Sequence, residues 1–165
     1  MSYPPNINCA LFLVNEVMPL VWAQFPETTL LISGTSPAKE VVSLASPMVC
    51  IGGWVDDIRK SYARSKIFVA PLQIGTGLQN KLLEAMAMQI PCITSPLANA
   101  PLGAIHGEEI LVGENKRAIA DAVIMLLQQP ELRKKLAVHG RLFVEKNYSW
   151  EKHNKKLSDI ILQED

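Results

Sequence analysis

Pro71-Leu72-Gln73-Ile74-Gly75-Thr76-Gly77-Leu78-Gln79-Asn80-Lys81-Leu82-Leu83-Glu84-Ala85-Met86-Ala87 decides how this 165-residue chain is read. An apolar strand runs into a glycine-bracketed turn, and the turn runs into a helix. A helix N-terminus beside such a turn is an anion site, because its first amides lack intrahelical partners and the helix dipole favours negative charge there. Thr76 and Gln79 fit the Ser/Thr-x-x-Glu/Gln capping box, which predicts a helix starting just after Thr76. Lys81 and Glu84, three residues apart, then share one side of it. A phosphate cradle with a carboxylate farther along the same helix suits a nucleotide, with diphosphate at the helix end and ribose hydroxyls on the acid.

Composition narrows the class. The chain has the length of one ordinary domain, with 48% hydrophobic and 19% charged residues. Its 16 basic and 16 acidic residues cancel, so no electrostatic case for nucleic acid arises. Cys9, Cys50 and Cys92 form no Cys-x-x-Cys pair, and His106, His139 and His153 are scattered. Neither a disulfide frame nor a metal site is expected, and a reducing cytoplasmic setting fits. The early apolar stretches are broken by Asn15, Glu16 and Pro19. They fall short of the ~20 apolar residues a spanning helix needs.

Outward from the motif, short apolar strands alternate with helices. Helix is expected over residues 6–24 with a kink at Pro19, strand over 29–33, and helix from a Ser36 cap and Pro37 through Ala45. Strand follows over 48–51, then helix capped by Asp56, strand over 67–71, the motif helix ending before Pro91, and strand over 92–94. A loop occupies 95–108 and a short strand 110–112, followed by helices over 115–128, 130–145 and 149–162. This order predicts a doubly wound α/β domain with a parallel sheet, whose ligands bind outside the carboxyl ends of the strands. Such a unit normally opens on a strand, yet residues 1–5 lead straight into a helix. The expectation is a single domain over 1–165 that is a fragment of a two-domain protein with its first strand missing.

The residues resemble the C-terminal half of GT-B retaining glycosyltransferases of the group 1 type. The matching marks are Gly75-Thr76-Gly77, the Leu82-Leu83-Glu84-Ala85-Met86-Ala87 helix, and Pro91-Cys92-Ile93. Gly53-Trp54-Val55-Asp56-Asp57, the 126–132 segment and Tyr148-Ser149-Trp150 agree as well. The resemblance implies a Rossmann-like donor domain for a nucleoside diphosphate sugar, with an acceptor domain lying elsewhere in the protein. It implies that Glu84 takes the ribose hydroxyls, that Gly75, Thr76, Gly77 and Leu78 offer diphosphate amides, and that the segment holding Val55 and Ile58 lines the base. Lys81 stands either as a phosphate ligand or as an ion-pair partner of Glu84. No cofactor or metal is implied, since helix dipole and basic residues carry the diphosphate charge. Catalytic residues are not assigned.

Three positions depart from the family pattern. Thr76 stands where an earlier Glu often contacts the donor sugar, Gln73 where relatives carry Arg, and Gln89 where Gly is usual. The expected function is sugar transfer to an acceptor hydroxyl in bacterial surface polysaccharide synthesis, the fragment alone being inactive. Two alternatives stand beside it: a non-catalytic nucleotide-binding or interaction domain, and a sugar-nucleotide epimerase on the same architecture. The expected setting is cytoplasmic, with weak peripheral association at the inner membrane face through basic helix faces. Oligomeric state is open. Trp54 and Trp150 are read as packing anchors.

Overall fold

The computed structural model describes residues 2–75 and 77–148. The expected helix at 149–162, Trp150 and Thr76 lie outside these residues. The first helix, α1 (Pro4–Phe12), passes through a π-helical turn (Leu13–Val17) into α2 (Met18–Trp22). Pro19 lacks an N–H and its ring crowds the carbonyl of Asn15, four residues back, so the wide turn absorbs the kink. Then come β1 (Leu30–Ser33), α3 (Lys39–Val42), β2 (Val49–Gly53), α4 (Ile58–Ala63), β3 (Phe68–Ala70) and α5 (Asn80–Ala87). The chain continues through β4 (Cys92–Thr94), α6 (Pro96–Asn99), β5 (Leu111–Val112), α7 (Lys116–Gln128) and α8 (Pro130–Asn147).

Two caps differ from expectation. Ser36 sits at φ 48°, a left-handed value that excludes the extended geometry of an N-cap, and α3 starts only at Lys39. Asp57, not Asp56, caps α4, its carboxylate accepting the Arg59 N–H at 3.0 Å. Asn115 caps α7 as its position suggests, accepting from Ala118 N–H at 3.0 Å. The loop after β4 also holds the short helix α6, opened by Ser95 as cap and Pro96 at the first position.

All strand pairings are parallel, but the sheet is divided. β1 pairs with β2, while β3, β4 and β5 lie side by side in that order. Between β1 and β3 lies a cavity of about 990 Å³, roofed by Cys9, Leu13 and Leu127 among others. One further parallel strand there would join the two sheets. Helices cover both faces, as a parallel sheet requires. The main core gathers Val17, Val21, Leu72, Leu82, Met86, Ile93, Ile119 and Leu126, all fully buried, and Leu127 packs partly buried against it. A smaller cluster of Ala10, Ile32, Val41 and Val49 serves the β1–β2 pair.

The motif helix α5 is anchored by this packing. Leu82, Ala85 and Met86 face inward, and α8 closes over them. A Cβ on Gly140 would lie 3.0 Å from the Glu109 carbonyl oxygen and 3.4 Å from Met86 Cε. A glycine at that point lets α8 approach closely enough to fix α5 against β4.

Candidate functional site: the turn before α5 and its carboxylate

Helix α5 begins later than the capping box predicts. Its cap is Gln79, at φ −97° and ψ 98°, and the Gln79 side chain does not bond the first amides. Gln79 Nε2 instead donates back to the Gly77 carbonyl at 3.1 Å. The turn spends three more residues before the helix starts, so its path is set by glycine geometry. Gly75 has φ 116° and Gly77 φ 77°, values that side chains with a Cβ rarely adopt. A Cβ on Gly75 would lie 3.4 Å from Pro5 Cγ, whereas Gly77 has nothing within 4 Å of that position. The turn therefore leans on the start of α1 and keeps an open outer side at Gly77. Leu78, 38% exposed, lies on that side.

Glu84 is exposed on α5. Its Oε2 accepts the Tyr62 hydroxyl at 2.9 Å, and among the described residues its side chain has no other hydrogen-bond partner. Tyr62, on α4, is 7% exposed and packs edge-on to Phe68 with ring centroids 5.6 Å apart. Burial first, then the hydrogen bond and charge of Glu84, push the Tyr62 phenol well above its ordinary value. The tyrosine is thus a neutral donor. This contact ties the helix after β2 to the helix after β3, bringing loops of the two sheets to one site.

Of the two readings offered for Lys81, the ion pair with Glu84 does not form among the described residues. Its ammonium donates to Asn6 Oδ1 on α1 at 2.5 Å. Burial pulls its ammonium below the ordinary value, with Cys9 and Glu84 acting in the opposite sense. Lys81 lines the cavity beside β1.

The segment after β2 lies next to Tyr62 in the chain. Gly53 turns at φ 57°, Val55 is half-buried, and Ile58 is 37% exposed. Trp54 corrects the packing reading: it is 71% exposed and anchors nothing. Gln73 is exposed at the turn. Gln89, which stands at the usual glycine position, adopts φ 55° just past α5. His106 has a structural role, its Nδ1 accepting the Val112 N–H at 2.9 Å. Among the described residues no group of three or more His, Cys, Asp or Glu gathers as metal ligands do, and no helix is long and apolar enough to cross a membrane.

Tyr62 and Asn6 are the site-forming residues that sequence reasoning missed. Each acts across a long sequence separation on a partner in α5, and no local spacing signals such a contact.

Comparison with known proteins now gives this geometry a family. The model of glycosyl transferases group 1 matches residues 1–129. The chain belongs to that family. A GDP-mannose-dependent monoacylated alpha-(1-6)-phosphatidylinositol monomannoside mannosyltransferase of Corynebacterium glutamicum is 28% identical over 162 residues, spanning 90% of this chain and 42% of the relative. The capsular polysaccharide biosynthesis glycosyltransferase CapM of Staphylococcus aureus is 29% identical over 106 residues, 63% of this chain and 28% of the relative. The crystal structure of Anabaena HepE in complex with UDP superposes with a TM-score of 0.78 at 11% identity, over 98% of this chain and 54% of that one. The fold of this group 1 chain is thus the Rossmann-like C-terminal domain of the GT-B architecture. The chain spans less than half the length of the curated relatives it matches.

Proposed function

We propose that this group 1 chain is the donor-binding domain of a retaining, hexosyl-type glycosyltransferase that moves a sugar from a nucleoside diphosphate to an acceptor hydroxyl. The observation that carries the reading is the pairing of an uncapped helix N-terminus with an exposed carboxylate on the same helix. Among the described residues the first amides of α5 have no side-chain cap, Gly75 and Gly77 bend the chain in front of them, and Glu84 lies one turn farther on. Amides and dipole take the diphosphate, Glu84 takes the ribose hydroxyls, and Val55 and Ile58 meet the base. The leaving diphosphate would be stabilised by donors already in place, without a metal. The acceptor would bind to a second domain of the whole protein, and the relatives' names favour a polysaccharide or glycolipid product.

The test is binding by the chain itself. Calorimetric titration with UDP and with GDP should give saturable binding of at least one, tighter than inorganic pyrophosphate. Binding of neither would overturn the donor reading. The neutral, exposed Gln73 favours one rival, a nucleotide-binding domain that performs no transfer. The whole protein would separate the two by turning over a nucleotide sugar or failing to.

A further inference from the structure

We infer that Tyr62 is a positioning residue, whose hydroxyl holds the Glu84 carboxylate in the orientation that receives a ribose. The inference rests on the donor reading of the same site and adds a residue to it.

A phenol carries one proton to donate. Tyr62 Oη lies 2.9 Å from Glu84 Oε2 and 3.3 Å from the Lys81 carbonyl oxygen. A single O–H donates fully to one acceptor, and the ionised carboxylate is both nearer and the stronger acceptor. The bond occupies Oε2 from the protein side and leaves Oε1, with a further lone pair on Oε2, for hydroxyls arriving from solvent. An exposed glutamate otherwise samples several rotamers. Freezing such a side chain on binding costs free energy that a pre-formed bond has already met.

The tyrosine can do this because it is itself held. It is buried, and its ring is braced on Phe68 at the start of β3. Its helix is joined to β1 through the Ser33 and Ser61 hydroxyls at 3.2 Å. The carboxylate therefore takes its position from the sheet through a rigid aromatic lever, not from its own flexible stem.

The experiment uses Tyr62→Phe in the whole 165-residue chain, which keeps the ring packing and removes the hydroxyl. The probes are whichever of UDP and GDP the unaltered chain binds more tightly, and its 2′,3′-dideoxy analogue. Loss of one positioning bond to a charged group should weaken the ribonucleotide about fivefold and leave the dideoxy analogue unchanged. On a Glu84→Ala background the same substitution should have no further effect. Equal losses for both probes, or a full loss persisting on the Glu84→Ala background, would show a merely structural tyrosine and overturn the inference. Unchanged ribonucleotide affinity would overturn it too, while leaving the donor reading intact. If the unaltered chain binds neither diphosphate, both fall. A ligand-free measurement guards against variants that misfold: the Cζ resonance of isotopically labelled Tyr62 should shift in Glu84→Gln, and an unmoved resonance would sink the contact itself.

Discussion

Lys81 reaches across 75 residues of sequence to Asn6 and passes over Glu84, its neighbour on the same helix. The first turn of α5 is thereby tied to the first turn of α1. The two charged residues of α5 thus have different parts, Lys81 as a half-buried strut and Glu84 as an exposed acid.

Asn6→Ala should therefore act on stability more than on ligand binding. It leaves a half-buried ammonium without its acceptor, at a cost of ~1 kcal/mol after allowance for the water that still reaches it. Urea unfolding should show a lower midpoint with an unchanged slope. A loss of nucleotide affinity at unchanged stability would mean that Lys81 serves the ligand.

Stability should fall in alkaline solution because of two buried thiols. Burial raises Cys9 from 9.0 to about 11, Lys81 lowering it in part, and burial raises Cys92 as well. In the unfolded chain both ionise near 9.0. Above that pH the unfolded state holds fewer protons than the fold, so the stability of the fold declines as pH rises toward and beyond 11. Lys81, lowered from 10.5 by burial, works in the opposite direction, since there the unfolded state holds the extra proton. The two thiols, joined above pH 10.0 by the Tyr62 phenol that burial also raises, outweigh one ammonium. Cys92→Ala should flatten the alkaline decline in unfolding free energy, and an unchanged slope would show that other groups govern it.

Much of this could be read from the sequence, and the misses share a cause. Alternation of short apolar runs with helices located β1 to β5 within a residue or two, because burial on both faces writes the strand directly into composition. The glycines at 75 and 77 marked the turn because only backbone freedom explains them. The start of α5 was misplaced because a capping box counts side-chain types, whereas the turn geometry left Gln79 pointing back at Gly77. Division of the sheet fits the expectation of a missing first strand, since the two sheets β1–β2 and β3–β4–β5 are not joined to each other. Tyr62, Asn6 and the direction of Lys81 depend on tertiary approach, which no period of the sequence records.

Gln89 adopts a backbone conformation that favours glycine. Its φ of 55° falls in the left-handed region, at the end of α5 where helices commonly close on glycine. Gln89→Gly should stabilise the chain by ~0.5–1 kcal/mol, the relieved strain exceeding the added freedom of the unfolded chain. A higher thermal midpoint with unchanged nucleotide binding is the expected result.

Gly77→Val tests whether the turn meets a ligand. The substitution places a β-branched residue at φ 77°, at a cost of ~1–2 kcal/mol of strain, but no protein atom lies within 4 Å of the new Cβ. The far-ultraviolet spectrum should stay native while UDP or GDP affinity falls about tenfold, because the side chain projects where the diphosphate would approach. Native affinity in a folded variant would assign the turn a purely structural part.

Glu84 gives the sharpest test of donor recognition. With Gln79 as cap, the carboxylate lies five residues along the helix, or roughly 7.5 Å of axis at ~1.5 Å per residue. Its side chain leans back toward the N-terminus, so the acid and the unpaired amides are close enough to hold the ribose and diphosphate of one nucleotide. A carboxylate accepting ribose hydroxyls is a charge-assisted contact worth ~1.5–3 kcal/mol. Glu84→Gln should weaken nucleoside diphosphate binding about tenfold or more, measured by calorimetry. Inorganic pyrophosphate, which has no ribose, should lose far less. Because Glu84 is exposed and makes no ion pair among the described residues, the unfolding midpoint should barely move. Equal losses for the two ligands would mean that the residue acts through the helix and its field, and the ribose contact would then have to be sought on another residue.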